Sequence, residues 1–233
     1  MSGRIQRSMA LCTALAMGAT SVPAAAREAP APRLLVTYFE APPGKAARLT
    51  RVLETYAAAL PRKQGQVHVQ VLAEEGRPGR LAVIERWPAE SVPDPAALTA
   101  LEGKAAPLLQ APADRRDHDA LVAWSGKRLT GPFHMLMHVD VAPAGADMAA
   151  RLLSAQKDTV LAARGALGFE AATQQGKPNH FAVHEVWQSR AAYEAYVASP
   201  AGRALRAQLA TAKGALYDDR LYRPLPPPWS RHR

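Results

Sequence analysis

The segment NHFAVHEVWQS, Asn179–Ser189, gathers two imidazoles, a carboxylate and an indole on one alternating stretch. Such groups can move a proton and hold an aromatic ring. A second alternating stretch, FHMLMHVDV from Phe133, adds His134 and His138. In a strand, residues two apart share a face. His134, Leu136, His138 and Asp140 therefore lie on one side, and Met135, Met137, Val139 and Val141 on the other. The apolar set suits packing against helices, so the histidine set is expected to line the opposite, sheet-to-sheet side. His138 is then a candidate general base, with an imidazole that environment can tune across neutrality. The same histidine can equally be hydrogen-bonded scaffold. A metal centre is not expected: His134 and His138 stand about 13 Å apart along an extended strand. The chain also has no H-x-H or H-E-x-x-H pattern. GRPG and GKPN read as hairpin turns rather than phosphate loops, and no Ser-His-Asp arrangement is suggested by the spacing.

The elements that must position these groups occur twice. A-V-x-E-x-W appears at Ala82–Trp87 and again at Ala182–Trp187. LLVTYFEAPPGKAARL (Leu34–Leu49) parallels MLMHVDVAPAGADMAARL (Met135–Leu152), each a strand, an A-P-x-G turn and a helix. A Gly/Pro-punctuated strand pair follows in each copy, then a helical segment, DPAALTALEGKAAPLLQ or SRAAYEAYVASPAGRALRAQL. Short strands close the copies at Asp117–Trp124 and Tyr217–Pro224. The order is β-α-β-β-α-β twice, which predicts an α+β chain of two ferredoxin-like units in tandem. The first unit is expected over 33–124 and the second over 133–224. A polar linker spans 125–132, and a Pro-rich extended tail spans 225–233, laid over the body through Trp229. Each unit has one sheet face without helices, so the copies are expected to cover each other as an intrachain pseudo-dimer. Glu85 and Glu185 hold the same place in the motif. A buried carboxylate needs partners, so each is either a base or a structural anchor. Trp87 and Trp187 suit core or pocket wall.

Residues 1–26 have the pattern of a secretory signal peptide: Arg4 and Arg7, an apolar run from Ser8 to Val22, and Ala24-Ala25-Ala26 as the cleavage site. The expected location is periplasmic or secreted, with no integral membrane segment after removal. Cys12 is the only cysteine, so disulfides and thiolate chemistry are not expected in the mature chain. The formal charge of +9 is scattered. It reads mainly as solubility, with some preference for anionic ligands or surfaces. No basic stripe with interleaved aromatics suggests nucleic acid.

HFAVHEVWQSRAAYEAYVASPAGRALRAQL, from His180, resembles the antibiotic biosynthesis monooxygenase (ABM) family of dimeric α+β barrels. The E-x-W at the strand end, the AAYEAYVASP segment and the A-P-x-G turn carry the resemblance, which is fuller over 133–224 than over 34–124. It implies that the two sheets form an intrachain dimeric barrel holding a small aromatic or hydrophobic ligand. It also implies cofactor-independent monooxygenation of a quinol or related aromatic, in which a base makes an electron-rich anion that reduces dioxygen. On the family geometry, Phe181, Val183, Glu185 and Trp187 face the cavity and His184 faces away. His138 and Glu185 are then the catalytic candidates, and Trp187, Phe181, Tyr196 and His134 the substrate-binding ones. No cofactor is expected, although haem is bound by some relatives. Tyr196 stands where many members have a histidine; Leu101 is its counterpart in the first copy. Counting back from the turn glycines pairs His138 with Thr37, where several members have asparagine. Two rival readings remain: a non-catalytic envelope protein binding an aromatic ligand, and a structural or stress-associated interaction module.

Overall fold

The computed structural model describes residues 31–60, 67–89, 91, 93–128, 130–211 and 216–225. Residues 1–26, expected to be a signal peptide, and the tail around Trp229 lie outside the described residues. The first copy forms β1 (Arg33–Glu40), α1 (Ala46–Ala59), β2 (His68–Glu74), β3 (Arg80–Trp87), α2 (Pro95–Ala105) and β4 (Asp114–Gly126). The second forms β5 (Phe133–Asp140), α3 (Ala146–Ala162), β6 (Ala166–Gln174) and β7 (Lys177–Trp187). It continues through α4 (Arg190–Val197) and α5 (Pro200–Ala210) to β8 (Leu216–Pro224). The tandem ferredoxin-like α+β fold is present as the repeats predict.

Two boundaries differ from the sequence expectation. The second unit's last helical segment is two helices rather than one. Pro200 disfavours helical geometry at the preceding residue, and Ser199 is extended, its side chain accepting from Gly202 N at 3.1 Å to start α5. β4 also runs on to Gly126, taking the start of the expected linker into the sheet.

The eight strands close into one barrel in the order β1-β3-β2-β8-β5-β7-β6-β4. Each unit keeps its own four-strand order, and its two edges pair with the other unit through β2–β8 and β4–β6. Closure removes the free edges that a lone four-stranded sheet would present. It also buries both faces of the sheet. Leu34, Val36, Leu72, Ile84, Leu136 and Tyr222 fill the middle of the barrel. Outside it, α1 and α2 cover Leu35, Phe39 and Val83, while α3, α4 and α5 cover Met135, Met137 and Val183.

The β4–β6 seam is irregular, with register shifts on either side of Val122. It depends on glycine. A side chain at Gly168 would bring its Cβ to 2.0 Å from the Trp124 ring, and one at Gly126, where φ is +143°, to 2.4 Å from Gly168 Cα. Gly168→Ala is expected to destabilise the protein by about 1–3 kcal/mol through overpacking. In urea unfolding of a double-mutant cycle, most of that cost should disappear in the Trp124→Ala background. An equal cost in both backgrounds would mean the ring is not what excludes the Cβ.

Candidate functional site

Cross-strand register decides which candidates meet. On β5 and β7, Met135 lies opposite Glu185, Met137 opposite Val183, Leu136 opposite His184, and His138 opposite Ala182. Directly opposed residues project to the same face. Phe181, Val183, Glu185 and Trp187 therefore face the helices, and His184 faces the barrel interior with His134 and His138. This reverses the expectation for β7. The expected site splits into two compartments separated by the sheet: His134 and His138 inside, and Glu185, Trp187, Phe181 and Tyr196 in the helix layer.

In the helix layer the repeated motif has one physical meaning. Trp187 Nε1 donates to Glu185 Oε2 at 2.9 Å, and Trp87 Nε1 donates to Glu85 Oε2 at 2.9 Å. The first helix of each unit adds a second donor: Gln156 Nε2 to Glu185 Oε1 at 3.2 Å, and the Tyr56 hydroxyl to Glu85 Oε1 at 3.1 Å. Among the described residues, neither carboxylate has a cation in direct contact. Burial drives the Glu185 carboxyl up to about 7, against the lowering effect of the Trp187 bond; Asp219 adds to the rise. Burial also raises Glu85.

Glu185 opens onto a cavity of about 20 Å³ between the sheet and α3, α4 and α5, lined also by Met135, Met137, Tyr193, Tyr196 and Leu209. Trp187 stacks obliquely on Tyr196 at 5.3 Å and meets Tyr193 edge-on at 6.1 Å. Phe181 and Trp187 belong to the same apolar cluster but do not line the cavity, and Trp187 is covered by Tyr193 and Tyr196. A space of this size holds about one water molecule. An aromatic substrate enters only if α4 and α5 move from the sheet, and the Ser199–Pro200 break between them is where the helical hydrogen bonding is already interrupted. Haem does not fit the cavity as packed, and its lining contains no histidine.

Inside the barrel, His134, His138 and His184 are buried and hydrogen-bonded. The Tyr38 hydroxyl donates to His138 Nε2 at 2.5 Å. Burial, with Arg116 and His118 nearby, pushes His138 down to about 3, so it is neutral near pH 7. Tyr38 is also its counterpart by register: Tyr38 and His138 face Ala82 and Ala182 respectively. The turn-glycine count that paired His138 with Thr37 is off by one, because the second copy has an extra residue before its turn. At the other end, Arg86 from the first unit forms a forked ion pair with Glu170 of the second, with nitrogen–oxygen distances of 2.5–3.0 Å. His184 Nδ1 lies 2.7 Å from Arg86 Nη2 and 2.9 Å from Glu170 Oε1. Its Nε2 meets His134 Nδ1 at 2.9 Å, and His134 Nε2 donates to Gly131 O at 3.0 Å. Burial and His184 push His134 down to about 3, whereas Arg86 and His184 hold Glu170 at about 2 despite burial. These are the features of a structural clamp between units.

Residues 132–208 match the family model described as antibiotic biosynthesis monooxygenase. The second unit is an ABM domain. No curated protein matches the chain. Among solved structures, a candidate monooxygenase from Fusobacterium nucleatum superposes with a TM-score of 0.68 at 15% identity, over 84% of this chain and 94% of that one. A candidate monooxygenase from Lactobacillus acidophilus gives 0.65 at 14% identity, over 83% and 94%. An anthrone oxidase-like protein gives 0.65 at 12% identity, over 85% and 93%. At these identities the likeness is one of fold, and it extends across both units.

Sequence reading missed Gln156 and Tyr193 in the ABM domain's cavity, and Arg86, Glu170 and Tyr38 in the barrel. The equivalence of α1 and α3 would have flagged Gln156, which occupies the place of Tyr56. Arg86 and Glu170 carry no signal of their own until the units are brought together. Among the described residues, no group of three or more His, Cys, Asp or Glu is placed to hold a metal ion. No described helix is long and apolar enough to cross a membrane.

Two outcomes test the two compartments. The raised Glu185 holds its proton in the folded ABM domain while the unfolded chain loses it. Its contribution to stability is therefore complete below about pH 4.5 and is lost as pH rises to about 7. Glu185→Gln should remove that loss, so that its stability relative to wild type climbs through this window by about 3 kcal/mol at most and is flat above it. A difference that does not change with pH would put the Glu185 carboxyl at an ordinary value. In the barrel, Tyr38→Phe leaves the His138 ring without its donor and should cost about 1–3 kcal/mol in urea unfolding. A neutral effect would remove the Tyr38–His138 bond from the core's support.

Proposed function

We propose that the protein is an exported, cofactor-independent monooxygenase of small phenolic or quinol-type aromatics, and that Glu185 is its base. The observation that carries this is a buried carboxyl, raised to about 7, on a cavity walled by Tyr193 and Tyr196 beside Trp187. A base works best when its pKa lies near the working pH. The ABM match over 132–208 supports the oxygenase chemistry. The pattern of residues 1–26 supports export.

With the helices lifted, the substrate ring stacks on Trp187 and its hydroxyl reaches Glu185. Glu185 takes the phenolic proton. The phenolate passes one electron to dioxygen, and the resulting radical pair forms a carbon–oxygen bond at a ring C–H carbon. Glu185 returns its proton to the peroxide, whose O–O bond breaks as the ring C–H proton leaves. The products are a quinone and one water, which balance one phenol and one O₂. The apolar wall, Met135, Met137 and Leu209, limits escape of the radical pair.

One observation favours a different reading. The first unit builds the same indole–carboxylate pair at Glu85 and Trp87, so the pair can serve as scaffold, with the protein binding a ligand without converting it. Oxygen uptake with a panel of phenols and quinols separates the two. Glu185→Gln should lower kcat by about 10²-fold or more. Glu85→Gln and Tyr38→Phe should leave uptake near wild type. The wild-type rate should rise with pH through about 7 as Glu185 ionises. Equal uptake by wild type and Glu185→Gln would remove Glu185 from the chemistry. Absence of uptake together with saturable binding of the same compounds would establish the binding reading.

A further inference from the structure

The first unit has a feature that its partner lacks. An open groove of about 450 Å³ runs between α1 and α2 on the outside of the barrel. That volume lies within the range of small-molecule sites. Its floor is apolar, formed by Val52, Tyr56 and Leu101, with Tyr56 and Leu101 buried. Its rim is basic. Arg48 and Arg51, one helical turn apart on α1, stand on one side, and Lys104 of α2 on the other. The lining contains no carboxylate. Among the described residues, none of these three cations forms an ion pair. Like charges one turn apart destabilise a helix, and an anion seated between the two helices relieves that repulsion.

The second unit is built differently at the equivalent place. Met148 of α3 stands where α1 has Arg48 and Gln156 replaces Tyr56, while Arg151 keeps the place of Arg51; the helix also carries Asp147, Lys157 and Asp158. Its helices close down to the small cavity beside Glu185. The basic groove is therefore a property of the first unit's sequence rather than of the fold.

We infer that the α1–α2 groove of the first unit binds a small amphiphilic carboxylate, its apolar body on Val52, Tyr56 and Leu101 and its charge between Arg48, Arg51 and Lys104. This site lies outside the Glu185 cavity and does not depend on oxygenase activity. A carboxylate with an apolar body satisfies both halves of the lining, whereas a fully polar anion leaves the floor uncovered. Ligand exchange needs no opening of the barrel.

Calorimetric titration of the full chain with decanoate and with 2-naphthoate tests this, with the corresponding amides as neutral controls. Saturable binding of at least one acid is expected, weaker by about tenfold or more for its amide, as for the loss of one well-placed charge contact. The charge-reversed Arg51→Glu/Lys104→Glu variant should weaken the acid by a similar factor. Ala100→Trp, which adds an indole to the groove, should abolish binding. All these positions are exposed, and a thermal melt checks that each variant folds. The preferred acid tells whether the body is aliphatic or aromatic. Glu185→Gln should bind the acid as wild type does, which separates this site from the proposed active site. No saturable heat from either acid, equal affinity for acid and amide, or unchanged affinity in the charge-reversed variant would each overturn the assignment.

Discussion

Barrel closure is the constraint from which the remaining features follow. A four-stranded ferredoxin-like sheet has two open edges and one face without helices. Pairing β2 with β8 and β4 with β6 satisfies the edges, and curling the joined sheet around its own side chains covers the face. Tandem fusion places the second copy at high local concentration, so the closed state does not depend on finding another chain. The consequence is a sheet with no solvent-facing side: one surface packs on helices and the other on itself.

Such a sheet makes two chemical compartments. The barrel interior holds charge only where it is matched, as in the Arg86–Glu170 pair, and holds its histidines neutral through burial. A buried ion pair of this kind specifies which surfaces meet more than it adds stability, since desolvation offsets much of the attraction. Here its two members come from different units, and it sets them in register. The helix layer is the opposite case. Among the described residues Glu185 has donors but no ion-paired cation, and burial outweighs the lowering by the Trp187 bond and by Arg206. A carboxyl left near neutrality in this way is costly for stability above pH 7 and suited to proton transfer.

The two units have diverged around the same frame. Both keep the indole–carboxylate pair, which ties the end of the third strand to the first helix. Around it, the second unit closes α4 and α5 over aromatic walls, helped by the Pro200 break and by the tight approach at Gly202. The first unit leaves an open groove between α1 and α2 and lines its rim with cations. One duplicated scaffold thereby carries a closed cavity beside Glu185 and an open groove with a basic rim.

The tandem fold was legible in the sequence because each copy repeats the same strand, turn and helix signals at matching intervals. The Glu–Trp pairing was legible as well, since residues two apart on a strand must share a face. Period-two alternation states which residues go together, but not which way they point. Normally polarity answers that question, because one face of a sheet meets water. In this barrel both faces are buried, so Phe181, Val183, Glu185 and Trp187 read equally well inward or outward, and only the β5–β7 register assigns them to the helices. The same holds for Arg86 and Glu170, which are ordinary surface residue types until closure brings two units' strands together. Local order was thus determined by the sequence alone. The identity of each compartment, with Glu185 in the helix layer and His138 in the barrel, was decided by tertiary pairing.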